Sequence, residues 1–200
     1  MHDREQTSAP KAKPRGQLKL LAIVAIVVGP IFLAGLMAKL GMGIPDSQTN
    51  RSDLIEPAIS VEDWQLNIEP IGYGSPWRLV VTSTGDCEAA CMELVNEARQ
   101  INVALGREAG RVEHLLALDV PASDQLVERL ERDYPRLERA RLDQDAYGRS
   151  LAVHPQEWRE GAQLWLIDPL GRVVLHQDPS EPGKQLLDDL KHLLKVSKVG

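Results

Sequence analysis

Cys87 and Cys91 are the only cysteines in 200 residues, and three residues separate them. They follow the apolar run Leu79-Val-Val-Thr-Ser and open a stretch with helical periodicity. Thiols delivered by a strand to the first turn of a helix meet the partial positive charge of the helix N-terminus. That charge favours thiolate, the form that attacks disulfides and binds soft metals. Positions i and i+4 share one helical face, so the two sulfurs can close a disulfide or hold one soft ion such as Cu(I). Glu88 sets a negative charge directly after the first cysteine and opposes the helix dipole. Two plainer uses stay open. The pair could be small core residues, a role that suits Cys91 on the apolar face, or a structural disulfide, whose short loop would constrain the unfolded chain little.

The elements that must position this pair alternate along the chain. Residues 78–83 form a short β-branched run, which predicts a buried strand. A helix is expected from an N-cap at Asp86 to about Leu105, with Cys91, Leu94, Val95, Ala98, Ile101 and Leu105 on its apolar face. A strand at 112–119 follows, then a helix opening at Pro121-Ala-Ser-Asp and ending at Tyr134-Pro135. Residues 136–162 give no clear pattern. Strands at 163–167 and 172–177 flank the turn Asp168-Pro169-Leu170-Gly171, and a helix over 182–196 closes the chain. The order β-α-β-α-β-β-α starts with two crossover units, which require parallel pairing, and ends in a hairpin and a helix. This is an α/β thioredoxin-like arrangement, and the cysteines fall between its first core strand and the following helix, where that fold keeps its redox centre. The four tryptophans, Trp64, Trp77, Trp158 and Trp165, read as core residues, with a partner surface as the alternative use.

Ahead of this domain, residues 20–38 are uncharged and almost wholly apolar, close to the ~20 residues that cross a bilayer core. Arg4, Lys11, Lys13, Arg15 and Lys19 precede the run, and only Lys39 and Arg51 follow it closely. The positive-inside rule then sets the N-terminus in the cytoplasm and the rest outside. A cleaved signal peptide is the rival reading, with a shorter apolar core expected of it. The predicted organisation is a basic cytoplasmic tail at 1–19, a single transmembrane helix at 20–40, a tether at 41–60 and the thioredoxin-like domain at 61–200. The expected location is a bacterial inner membrane with the globular domain in the periplasm. Positions 1–40 hold six of the 23 basic and two of the 29 acidic residues, so the remainder carries a net charge of −10. Such a surface argues against nucleic acid as a partner. No glycine-rich phosphate loop, second cysteine pair or HExxH motif is present.

An exported thioredoxin-like domain behind one anchor, with a Cys-x3-Cys pair after an apolar strand and the stretch LWLIDPLGRVVLHQ before a closing helix, resembles the Sco/SenC family. The resemblance covers about residues 61–197, in organisation more than identity. It implies copper as the bound metal, held by Cys87, Cys91 and a histidine. It also implies cytochrome c oxidase subunit II, or other oxidase assembly factors, as partners, the work being copper delivery or thiol reduction at the CuA centre. The family's usual prolines after each cysteine are replaced by Glu88 and Met92, and the register of its histidine ligand falls near Glu160. His154 lies six residues upstream and reaches the site only across an insertion at 155–161. A surface loop position beside Pro155 is its other reading. The pattern Asn-Arg-Ser-Asp-Leu-Ile-Glu-Pro after the anchor loosely resembles membrane proteins that accompany oxidase assembly factors in proteobacteria. Two further functions remain expected alternatives. One is a general anchored thiol-disulfide oxidoreductase in which Cys87 attacks and Cys91 resolves. The residues 160–163 lack the proline that thioredoxins place before the strand facing their cysteines, which counts against it. The other is a non-catalytic binding module that keeps the fold.

Overall fold

The structure is a computed structural model that describes residues 15–39, 52–69 and 71–197. It falls into two units, residues 1–48 and 49–200. In the first, helix α1 spans Arg15–Lys39 without a break at Pro30. It covers the apolar run, and Ile23, Ile26, Ile31, Phe32 and Leu33 are all exposed. Among the described residues no helix is long and apolar enough to cross a membrane. Residues 1–14 of the expected tail at 1–19, and residues 41–51 of the expected tether at 41–60, lie outside the described residues.

The second unit is built on a six-stranded sheet in the order β1-β6-β5-β2-β3-β4. Its strands are β1 (Asp53–Ser60), β2 (Trp77–Ser83), β3 (Val112–Leu118), β4 (Glu138–Arg141), β5 (Ala162–Ile167) and β6 (Arg172–Gln177). The helices are α2 (Ala89–Ala104), α3 (Asp124–Asp133), α4 (Gln144–Ser150) and α5 (Lys184–Val196). Strand β2 lies at the centre, and its seven residues are all buried because both faces are covered. On one face Leu79 and Val81 pack with Cys91, Leu94, Val95 and Ala98 of α2 and Leu186, Leu190 and Leu194 of α5. On the other, Val80, Trp165 and Ile167 pack with Trp64, Leu66, Tyr147, Leu151 and Trp158. All four tryptophans are buried, as their reading as core residues expects.

Three features differ from the sequence reading. Asp53–Ser60, placed in the tether, is an edge strand paired antiparallel with β6. It buries only Ile55, Ile59 and half of Ser60, so it shows no alternation. Second, β4 is the strand that completes the second crossover, pairing parallel to β3. Third, β5, expected to be parallel, runs antiparallel to β2. The stretch 136–162, which shows no clear pattern in sequence, contains β4, α4, a short 3-10 helix at Gln156–Arg159 and the first residue of β5, and these elements reverse the chain.

The turn between β5 and β6 is held by one carboxylate. Asp168 Oδ1 accepts the backbone N–H groups of Leu170 and Arg172, both at 2.9 Å, and Oδ2 takes the Arg172 guanidinium. Gly171 adopts φ +80°, and a Cβ there would stand 3.1 Å from Val61 Cγ2, so both backbone and space call for glycine. The two edges of the sheet are short or interrupted. β4 offers four residues, Glu-Arg-Ala-Arg, and β1 carries Pro57 and a register shift between Leu54 and Ile59.

Candidate redox site

Cys87 and Cys91 are joined in a disulfide, with Cα atoms 5.1 Å apart. The helix that carries them begins later than the sequence suggests. Its first residue is Ala89, Glu88 occupies the N-cap position with no side-chain cap, and Asp86 is not the cap. Cys87 therefore stands just ahead of α2, half-buried, and Cys91 sits in its first turn at 2% exposure. The two cysteines differ in exposure: Cys87 is half-buried, whereas Cys91 packs into the core beneath.

The loop from β2 to the disulfide is pinned from two sides. Gly85, at φ +95°, donates its N–H to Asp119 Oδ1 at 2.7 Å, and Asp119 N–H reaches back to Ser83 O at 3.4 Å. On the other side Thr84 N–H donates to Gly161 O at 3.1 Å, while Gly161 N–H donates to Thr84 Oγ1 at 3.1 Å. The charged residues along and beside this loop are Asp86, Glu88 and Asp119, and Glu160 precedes Gly161. These carboxylates oppose a build-up of thiolate charge, against the pull of the helix N-terminus.

The other candidate ligand is elsewhere. His154 is buried at 8% exposure and stacks on Trp158, with ring centroids 5.5 Å apart and planes within 16°. Trp158 belongs to the cluster on the sheet face opposite Cys91. Glu160, at the register of the family's histidine, is exposed. Among the described residues no group of three His, Cys, Asp or Glu side chains is placed to hold a metal ion. The two sulfurs, bonded to each other, offer no thiolate ligand in this state. The donor set that copper would need does not converge, and the chemistry in view is that of a disulfide.

Sequence reasoning did not single out the polar residues buried behind the site. Trp165 Nε1–H donates to Thr82 Oγ1 at 2.9 Å, Thr82 Oγ1 lies 3.0 Å from Tyr147 Oη, and Tyr147 Oη donates to Trp158 O at 2.9 Å. An indole can only donate and a carbonyl only accept, so every proton in this relay has one direction, and Thr82 must donate to Tyr147. Burial pushes the Tyr147 phenol up, so it stays neutral. His176, at 2% exposure, packs against both Trp158 and Trp165, with centroids at 4.4 and 4.6 Å. Its pKa is lowered from 6.5 to about 4, first by burial, against the attraction of Asp53, Asp178 and Glu157.

That depression makes a pH prediction. The unfolded chain takes up the His176 proton near pH 6.5 and the folded chain only near 4. Stability is therefore full above pH 6.5 and is lost as the pH falls from 6.5 towards 4. His114, also lowered by burial and by Arg99 and Arg136, acts in the same sense. Denaturant titrations from pH 7 to 4 are expected to show this fall. In His176→Gln the slope should flatten by up to about 1.4 kcal/mol per pH unit, one proton's worth. An unchanged slope would mean that His176 does not titrate differently on unfolding.

A central mixed sheet with helices on its faces, and a cysteine pair between the central strand and its helix, define an α/β thioredoxin-like domain with a disulfide at its redox position. Residues 77–197 match the family described as transmembrane-like, thioredoxin-like, C-terminal domain, and residues 10–41 match the transmembrane-like N-terminal domain. The chain belongs to this transmembrane-like, thioredoxin-like family. No curated protein matches it. Among solved structures it is similar to copper-bound ScoI of Arabidopsis thaliana, at 12% identity and a TM-score of 0.47, covering 62% of this chain and 87% of that one. Copper-bound ScoI of Bradyrhizobium japonicum has 18% identity and a TM-score of 0.38, covering 57% and 84%. A thiol:disulfide interchange protein from Bacteroides sp. has 14% identity and a TM-score of 0.43, covering 76% and 95%.

Proposed function

We propose that this protein is a membrane-anchored thiol-disulfide exchange factor that reduces an acceptor disulfide outside the cytoplasm. The observation that carries this reading is the asymmetric disulfide itself, a half-buried Cys87 bonded to a fully buried Cys91 at the start of α2. In the dithiol form Cys87 loses its proton and attacks one sulfur of the acceptor disulfide. A mixed disulfide forms and the acceptor's other sulfur leaves as thiolate. Cys91 thiolate then attacks Cys87 Sγ, releases the acceptor as a dithiol, and leaves the Cys87–Cys91 bond. Two electrons pass to the acceptor, and an external dithiol donor must return them. The carboxylates around the loop support the reducing direction, because a couple whose thiolates are not stabilised is a weak oxidant. Anchoring is supported by the apolar, exposed face of α1 and the basic residues ahead of it.

Within this reading the acceptor is a copper-centre cysteine pair, such as that of cytochrome c oxidase subunit II, or an oxidase assembly factor. The three-residue spacing supports it, since it brings a sulfur just ahead of α2 against one in its first turn, where a single Cu(I) could also bridge them once reduced. Copper is then cargo for Cys87 and Cys91, and His154 would join them only after leaving its stack on Trp158.

Cys91→Ser in the full-length protein is expected to trap a mixed disulfide with a peptide disulfide substrate, while Cys87→Ser traps none, as seen by non-reducing electrophoresis. Absence of any trapped adduct would overturn the exchange reading. In parallel, Cu(I) titration of the reduced protein should lose its stoichiometry in either cysteine variant and keep it in His154→Ala. Unchanged stoichiometry in the cysteine variants would remove copper from the site.

A further inference from the structure

The corner that flanks the disulfide loop is clamped from behind by a single buried amide. Gln163 begins the buried part of β5 and points to the face opposite Cys91, at 6% exposure. Its Nε2 donates to two backbone carbonyls, Glu157 O at 2.8 Å and Glu160 O at 2.9 Å. Carbonyls only accept, so both amide protons are committed and Oε1 must face the other way. There it meets His176 Nε2 at 2.8 Å, and that ring nitrogen must carry a proton. The neutral ring then presents Nδ1 as a bare acceptor. Asp53 Oδ2, 3.6 Å away, sits beyond hydrogen-bond distance. His176 packs against the adjacent rings of Trp158 and Trp165.

The chain of contacts ends at the disulfide loop. Gln163 fixes the carbonyls of residues 157 and 160, and Gly161 follows directly. Gly161 exchanges hydrogen bonds with Thr84, three residues before Cys87. Gly161 takes φ +69°, so the bend that lets residue 160 face Gln163 and residue 161 face Thr84 is made at a glycine.

We infer that Gln163, oriented by His176, is a positioning residue for the Cys87–Cys91 couple: it holds the corner at 157–161 against the loop that carries Cys87 and thereby favours the disulfide form. The functional meaning of this role rests on the exchange reading above, but its physical content does not. A residue that stabilised both redox forms equally would leave their equilibrium unmoved. A clamp on the loop in its disulfide-bonded conformation stabilises that form more than the opened one.

The experiment equilibrates the full-length protein with dithiothreitol buffers and counts reduced molecules by thiol alkylation. Gln163→Glu keeps the shape of the side chain and removes both donors. It is expected to move the equilibrium about tenfold towards the dithiol, which is about 30 mV for two electrons. Thr84→Val removes the acceptor for Gly161 N–H at a half-buried position that disturbs no core residue, and should shift the equilibrium in the same direction by a smaller factor. Thr84→Val keeps the test decisive if Gln163→Glu fails to fold. An unchanged or lowered potential in the folded variants, with equal losses of melting temperature in both redox forms, would reduce Gln163 to a structural residue and overturn the inference. The small-molecule equilibrium is measurable even if no peptide adduct is ever trapped, so the two readings fail separately.

Discussion

Trp165→Ala is expected to remove about 4 kcal/mol of stability, the upper part of the range for deleting a large buried aromatic. The residue has no exposed surface and meets Trp64, Tyr147, Trp158 and His176 with centroids between 4.6 and 6.4 Å for its ring and theirs. Its deletion opens a cavity bordered by rings that cannot collapse without breaking their own edge contacts. It also removes the first donor of the relay through Thr82 and Tyr147, leaving Thr82 Oγ1 one bond short in a dry setting. For a domain of this size such a loss lowers the melting temperature by roughly 10 °C or more. Trp165→Phe separates the two contributions. It retains most of the apolar fill, loses the indole donor, and should cost about 1–2 kcal/mol. Calorimetry of both variants checks the result. Equal losses would assign the whole effect to the hydrogen bond and none to the ring volume.

Asp168→Ala is the second large effect, expected at about 3 kcal/mol. One side chain, nearly buried at 7% exposure, closes the β5–β6 turn through two backbone N–H groups and the Arg172 guanidinium. The guanidinium is 60% exposed, so solvent discounts the ionic part, and most of the loss comes from the two backbone donors left without their acceptor. Asp168→Asn keeps an oxygen for those donors and gives up the charge, so it should cost less than half as much. Gly72 N–H donates to Pro169 O and Val61 N–H to Gly171 O, so the turn also anchors the segments on either side of Trp64. Urea denaturation of the two variants checks this order. If Asn were as damaging as Ala, the ion pair rather than the backbone contacts would hold the turn.

Much of the site was readable because its signals are local. The cysteine spacing, the strand before it and the apolar face of α2 all lie within residues 78–105, where periodicity speaks directly of burial. The hairpin around Asp168 was readable for the same reason, from a Pro and a Gly two positions apart. What was not readable depends on pairing across the sheet. β4 is Glu-Arg-Ala-Arg, and an edge strand that buries almost nothing leaves no apolar alternation to find. β1 carries Glu56-Pro57, which reads as a linker until β6 pairs with it. The direction of β5 turns on how α4 and the 3-10 helix after it redirect the chain, and their sequence mixes charge with isolated aromatics. The clamp at Gln163 joins residues 157, 160, 163 and 176, and the last two meet only because β5 and β6 are neighbours in the sheet. One signal could have pointed to it. Gln163 is the sole polar residue in Ala162–Ile167, and a lone amide in a buried strand must find partners for three hydrogen-bonding sites.

The two edges of the sheet bear on how copies of this protein coexist. An open sheet exposes a row of backbone donors and acceptors that can recruit a strand from a neighbouring molecule. Here one rim is four residues long with three charged side chains, and the other is broken by a proline and a shift of register. Neither rim makes a good template. Chains crowded side by side during synthesis, or packed densely in two dimensions, can therefore fold and refold without knitting their sheets together, and resistance to aggregation is built into the two strands that contribute least to the core.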